Sequence, residues 1–452
     1  MVVGRPAVES AVERWEDAMR RGRGHRLILA ASVAVLGAAL VVVPGGSETA
    51  AEQNCLGWER SLRSTAGDDQ VGRPAIDHFD DGMPFGQTLR EWVDDGCMRL
   101  NYVQVLGTHN SYHVEPRPAL LQFIGSLSAE QAAAIEYTHR PLGEQLGELG
   151  VRQVELDVYA DAGPGQYALP LGQLVFPTNP PASDPIRPEL LAPGLKVLHV
   201  PDVDFESTCL TLTACLQELE DWSAQHPGHL PVMVQIEAKD DAAPIPPGLL
   251  PPGLPDPVTP PAFGPGELDA LDAEISAVFD ADQLITPDDV RGDRATLEDA
   301  VLRDGWPTLV ETRGRFVFTL DNEGAVRDAY VAGHPSLADR VMFVSAQPGT
   351  PEAGFVKVND PLADPELIPS LVAAGYLVRT RADADTVEAR VGLTARRDAA
   401  IASGAQFVST DYPEADPAFG TGYLVDLPGD EIARCNPVLS PPGCDPTQLE
   451  RP

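Results

Sequence analysis

The chain has 452 residues, and 32 Lys and Arg against 68 Asp and Glu leave a formal net charge of −36. A surface that acidic repels nucleic-acid backbones and disfavours broad adsorption to anionic membranes, while staying compatible with bound divalent cations. The 43% hydrophobic content excludes a wholly disordered chain, six Cys are too few for a small disulfide-built scaffold, and 40 Gly with 44 Pro point to long, stiff loops.

At the N-terminus, residues 27–43 (LILAASVAVLGAALVVV) are uncharged and mostly apolar. Arg20, Arg21, Arg23 and Arg26 precede them and Pro44-Gly45-Gly46 follows. A basic flank, an apolar core and a small polar exit predict export. The first 26 residues hold six Arg against four acids, so the charge asymmetry fits a cytoplasmic N-terminus and an exported body. The apolar run is at the short limit for a bilayer span of roughly 20 residues. Residues 1–51 are therefore either a signal peptide, cleaved after Ala50 or Ala51, or a retained anchor. Residues 52–100 read as an N-terminal extension. Export makes the cysteines disulfide candidates. Cys209 with Cys215 and Cys435 with Cys444 are the close pairs, and Cys55 and Cys97 remain to tie the extension. No CxxC is present to favour zinc.

Eight apolar, β-branched runs predict strands: 102–106 (YVQVL), 151–158 (VRQVELDV), 195–200 (LKVLHV), 231–236 (PVMVQI), 315–320 (RFVFTL), 341–344 (VMFV), 376–380 (YLVRT) and 406–410 (QFVST). Between them, 128–149, 213–225, 267–279, 365–374 and 383–402 carry helical patterning. Strands alternating with helices mean parallel βα units, and eight of them over 101–413 predict a (β/α)8 TIM-type barrel. An open doubly wound sheet is the competing fold, but its Gly-rich phosphate turn is replaced here by GTHNSYH. Pro-rich insertions at 162–193 and 242–265 follow the second and fourth predicted strands. They are surface insertions or a rim that shapes substrate access. Residues 414–452 form a C-terminal tail, tied by the Cys435–Cys444 pair.

The chemistry gathers at strand ends. The first strand runs into His109, Asn110 and His113. The second contains Glu155 and Asp157, two residues apart and so on one side of the strand. The third ends in His199, and the fourth in Glu237 and Lys239. Taken singly these are common structural features; four in order on one barrel face are not. Three converging carboxylates repel and raise one another's pKa unless a cation neutralises them. The hard oxygens of Asn110, Glu155, Asp157 and Glu237 suit Ca2+ or Mg2+ rather than zinc, and export favours Ca2+. Two imidazoles beside such an ion are what acid–base cleavage of a phosphodiester needs. Lys239 is either a further cation for the phosphate or half of a salt bridge to Asp240 or Asp157.

The segments LGTHNSYH, VELDVY, LKVLHVPDVDF and LPVMVQIEAKD resemble the phosphatidylinositol-specific phospholipase C superfamily, in particular its exported, Ca2+-dependent bacterial branch. FVFTLDNEG, MFVSAQP, GYLVRTRAD and QFVSTDYP extend the resemblance over residues 100–413. It implies that His109 and His199 are catalytic and that Asn110, Glu155, Asp157 and Glu237 hold calcium. It implies attack of a ring hydroxyl of inositol on phosphorus, with His199 as acid to the leaving diacylglycerol and His109 stabilising the pentacovalent phosphate. Glu155 or Asp157 is the candidate base. The substrate is then a phospholipid or inositol phosphodiester met in transient contact with a membrane surface, with no nucleic acid and no obligate protein partner. Basic residues near strand ends are few: Lys239, Lys357, Arg379 and Arg381. That disfavours polyphosphorylated headgroups. Lys239, Arg379, Arg381, Asp411 and Tyr412 are the candidate substrate contacts, Tyr412 as a stacking platform or as a core aromatic. Two other readings share the barrel. A glycerophosphodiester phosphodiesterase or sphingomyelinase-D-like enzyme is favoured by the ExK of Glu237–Lys239 but not by the His-Asn turn. A non-catalytic binding barrel has no positive feature in its favour.

Overall fold

The computed structural model describes residues 96–451 apart from 162, 164, 178–185, 247, 251 and 430. The apolar segment 27–43, the unit 1–51, Cys55 and most of the extension lie outside the described residues. Among the described residues no helix is long and apolar enough to cross a membrane.

The strands are β1 (Val103–Thr108), β2 (Gln153–Tyr159), β3 (Lys196–Val197), β4 (Val232–Lys239), β5 (Phe316–Leu320), β6 (Phe343–Val344), β7 (Phe355–Lys357), β8 (Leu377–Arg381), β9 (Phe407–Thr410) and β10 (Ala433–Cys435). Hydrogen bonding runs in the order β6-β5-β4-β2-β1-β9-β8-β7, all parallel. A parallel bridge between Ser345 and Phe355 joins β6 to β7, so eight strands come round to a nearly closed barrel. Every residue of β1, β2, β5 and β9 is buried, as expected of parallel strands covered on both faces.

The predicted number of barrel strands is right, but one member is wrong. The run 195–200 is no barrel strand. Only Lys196 and Val197 pair, and they run antiparallel to the end of β2. The missing parallel strand is β7 (FVK), whose apolar run is cut short by Lys357. Two predicted helices are also broken. The stretch 128–149 becomes Ala129–Ala134 and Leu142–Gly147, parted by a segment that ends at Pro141. The stretch 383–402 becomes Val387–Val391 and Ala395–Ala402, parted at Gly392, whose φ of 65° is left-handed.

Helices cover the outside. Leu212–Gln225 is capped by the Thr211 side chain, which accepts from Ala214 N, and it buries Leu212, Leu216, Leu219 and Trp222 toward the barrel. The two Pro-rich insertions leave the ends of β2 and β4 and meet one another. Asp202 accepts from Leu171 N at 3.0 Å and from Val258 N at 2.7 Å, and Gln166 donates to Thr259 O at 2.8 Å. The tail is part of the barrel rather than an appendage. β10 lies antiparallel to β1, Glu450 pairs with Arg152 at 2.9 Å, and Arg313 donates to Leu449 O at 2.8 Å. Disulfides join Cys209 to Cys215 and Cys435 to Cys444, and Cys97 is disulfide-bonded too.

Candidate active site

Parallel register brings the polar groups to the C-terminal mouth of the barrel. Thr108 of β1 lies opposite Thr410 of β9, so the next residues, His109 and Asp411, are side by side. His109 Nδ1 donates to Asp411 Oδ1 at 2.8 Å. Arg381, at the end of β8, holds the other carboxylate oxygen at 3.0 Å and donates to His109 Nε2 at 3.3 Å. An imidazole that donates at Nδ1 and accepts at Nε2 is neutral. Burial, then Arg381, push His109 down to about 4, against the pull of Asp411. For Asp411, burial opposes ionisation, but His109 and Arg381 outweigh it and hold the carboxyl below its ordinary range.

The second cluster rises from β2 and β4. Asp157 is in register with Glu237, and Glu155 with Gln235. Ligand oxygens of Glu155, Asp157 and Glu237 lie within 4.8 Å of one another. Glu155 Oε2 accepts from Arg379 at 2.5 Å and from Gln235 at 3.2 Å, while its Oε1 is 3.7 Å from His109 Nε2. Asp157 Oδ2 accepts from Lys239 at 2.9 Å. Burial raises Glu155; Arg379 resists, and Asp321, Asp157 and Glu237 add to the rise, leaving it at about 8. Burial likewise raises Glu237, against Lys239 and with Asp157, to about 7.

This set fits a hard cation. Asn110 sits at φ 47° just past β1, and its amide nitrogen donates to the Tyr137 hydroxyl at 3.2 Å. Its Oδ1 is buried without a hydrogen-bond partner, and so is Asp157 Oδ1. Glu237 enters no hydrogen bond or ion pair among the described residues. Buried acceptors are rarely left unsatisfied. Two orphaned oxygens beside two raised carboxyls have the chemistry that an oxygen-liganded ion takes.

His199 follows β3 rather than a barrel strand, and the Tyr159 hydroxyl at the end of β2 donates to its carbonyl oxygen at 3.1 Å. Its Nδ1 donates to Asp204 Oδ2 at 2.7 Å, and its ring is 23% exposed. Each candidate catalytic imidazole is thus backed by a buried aspartate. Asp204 escaped the sequence reading although it stands five residues past His199 in HVPDVDF. Asp321, directly after β5, escaped too; it accepts from Lys357 at 2.7 Å and from Gln235 at 2.6 Å.

The other candidates have defined positions. Lys239 is the salt-bridge partner of Asp157, one of its two expected states. Arg379 and Arg381 both point into the mouth, but each is already held by a carboxylate. Asp411 touches His109 and Arg381, which makes it an orienting group for the imidazole. Tyr412 is 3% exposed and packs edge-on against Phe419 and Tyr423, so it is a core aromatic and offers no stacking face.

The described residues thus form a nearly closed parallel barrel in which His109 and His199 are each backed by an aspartate. The family model for Ca2+-dependent phosphoinositide phospholipase C matches residues 98–437, and the chain belongs to that family. Among solved structures, it is similar to the calcium-dependent phosphoinositol-specific phospholipase C of a Pseudomonas sp., at 16% identity over 75% of this chain and 95% of that one, with a TM-score of 0.43. The Ca2+-dependent enzyme of Streptomyces antibioticus is similar at 18% identity over 72% and 97%, TM-score 0.43. The phosphatidylinositol-specific phospholipase C of Listeria monocytogenes is similar at 10% identity over 69% and 89%, TM-score 0.37. No curated protein matches the chain.

Proposed function

We propose that the chain is an exported, calcium-dependent phospholipase C that cleaves phosphatidylinositol or a simpler inositol phosphodiester by two-histidine acid–base chemistry. The observation that carries this is the pairing of His109 with Asp411 and of His199 with Asp204 beside carboxylates whose oxygens are left unsatisfied. Asn110, Glu155, Asp157 and Glu237 would hold the ion, which when bound supplies a Lewis acid for the phosphoryl and hydroxyl oxygens. His109 is neutral with Nε2 facing the mouth, which suits accepting the proton of the attacking ring hydroxyl. Arg381 then takes over the expected role of His109 in countering phosphoryl charge. His199 keeps Nδ1–H on Asp204 and gives the Nε2 proton to the leaving glycerol oxygen. The bond from the ring oxygen to phosphorus forms as the bond to diacylglycerol breaks, and the product is a cyclic inositol phosphate. Water and the same two imidazoles, in reversed roles, would open it.

The basic side chains support a plain headgroup. Lys239, Lys357 and Arg379 are each engaged by a carboxylate, and Arg381 is shared between Asp411 and the reacting phosphoryl group, which leaves none of the four over for further ring phosphates. Oxidised cysteines and the sequence pattern of residues 27–43 support the exported location. The test is phosphorus NMR of the products from phosphatidylinositol, its bisphosphate, glycerophosphocholine and sphingomyelin, with and without Ca2+. A cyclic phosphate from phosphatidylinositol, formed only with Ca2+, is expected. Turnover of glycerophosphocholine supported equally by Mg2+ would overturn the assignment.

A further inference from the structure

His113 lies three residues past Asn110 and has no part in the chemistry described so far. Its ring is fully buried. Nδ1 is 3.0 Å from the carbonyl oxygen of Tyr137, and Nε2 is 3.0 and 3.1 Å from the two oxygens of Asp204. A carbonyl and an ionised carboxylate only accept, so both ring nitrogens donate and His113 is an imidazolium. The same carboxylate receives His199 Nδ1 on Oδ2, and the two rings meet edge to face at 5.7 Å. One aspartate therefore clamps two imidazoles.

The clamp is rigid. The Tyr137 ring lies 4.4 Å from the His113 ring, His139 N donates to His113 O at 2.9 Å, and an antiparallel bridge joins His113 to Ser207. The trio also has the composition of a metal cluster. Two donors meeting one doubly accepting carboxylate are, however, already a complete hydrogen-bond network.

We propose that His113 is a positioning residue for the acid step. It fixes the Asp204 carboxylate and balances its buried charge, so that Asp204 accepts the Nδ1–H of His199 and orients the doubly protonated ring whose Nε2 proton is transferred. A buried carboxylate without its counter-charge is costly and does not keep its geometry, and the partner of one ring nitrogen decides the state of the other. The proposal rests on His199 being the acid.

The test uses two substrates with one headgroup: phosphatidylinositol in mixed micelles, whose alkoxide must be protonated, and inositol para-nitrophenyl phosphate, whose phenolate leaves unaided. His113→Asn keeps the donor to Tyr137 and loses the one to Asp204; His113→Gln does the opposite. For His113→Asn we expect kcat on phosphatidylinositol to fall about 10- to 100-fold, with KM and the aryl substrate nearly unchanged, a fraction of the 10²–10⁴ that acid–base catalysis is worth. His113→Gln should recover most of the loss. Equal losses on both substrates, or no loss on either, would overturn the proposal. His199→Ala is run beside them. If it too fails to discriminate between leaving groups, the acid assignment itself is wrong and the positioning role falls with it. Should His113→Asn not fold, Asp204→Asn is read by the same criterion, and loss on both substrates alike decides against a positioning role.

Discussion

Asn110 adopts the left-handed backbone that Asn tolerates better than most side chains, and this turn lets consecutive residues serve two clusters. His109 goes to Asp411, and Asn110 goes to Tyr137 with its oxygen unsatisfied. Both imidazoles sit at the rim with little stake in the core. His109→Ala and His199→Ala should therefore each lose about 10²–10⁴-fold in kcat while melting near the wild-type temperature. A melting loss as large as a core truncation's would show that these rings are structural. The carboxyls make a pH prediction with a definite sign. Glu155, at about 8, and Glu237, at about 7, are raised above an ordinary 4.5. Between that value and about 8 the folded chain binds more protons than the unfolded one, so the stability that these groups contribute is full at low pH and is lost as pH rises through the folded values. Calcium needs both groups ionised, so binding near pH 6 should release up to about two protons. Titration calorimetry in buffers of different ionisation enthalpy reads this directly, and heats independent of buffer would contradict it.

Strands were legible where they sit in a longer apolar, β-branched stretch of sequence, even β6, whose two residues lie in VMFV. Register then brought His109, Glu155, Asp157 and Glu237 to one mouth. β7 was not legible because Lys357 cuts its apolar run to Phe355-Val356. β3 was misread because LKVLHV has the composition of a strand but only two residues pair. Asp204 and Asp321 were missed for another reason: a carboxylate's value here comes from the ring or ammonium it meets across the barrel, and spacing along the chain does not encode that. The same loop holds Asp202, which clips both Pro-rich insertions through backbone N–H groups. That contact favours the rim role over simple surface insertion. Asp202→Ala frees two buried donors, which should cost about 1–3 kcal/mol and open residues 242–265 to protease. Melting and limited proteolysis check this; an unchanged cleavage pattern would show that the insertions hold themselves.

For the whole molecule, the charge of −36 makes self-repulsion a standing cost, which a bound cation would relieve where the carboxylates crowd. Ca2+ should raise the melting temperature of chelator-treated protein, by about 2.7 kcal/mol of stability when the free ion is at 100 times Kd. Mg2+ should do so poorly, because it demands a tighter octahedron and keeps its waters. Differential scanning calorimetry with each ion, under non-reducing conditions that keep the disulfides, tests the point. Equal stabilisation by both ions would weaken the calcium assignment.

The position of β10 bears on how the chain is made. β1 meets β2 at a single register pair, Gly107 with Gln153, while on the edge away from β9 its residues 103–105 are paired with 433–435. Among the described residues the first strand is thus completed by the last. Until residues 433–435 emerge, that edge of β1 stays open, and pairing it closes a loop of nearly the whole barrel, a slow step that leaves a strand edge available to other chains. The Cys435–Cys444 bond then locks the latecomer in place. A chain ending at residue 413 should accordingly aggregate rather than form an active barrel, as sedimentation and the diesterase assay would report. A soluble, active product would mean that the tail only decorates a barrel able to close without it.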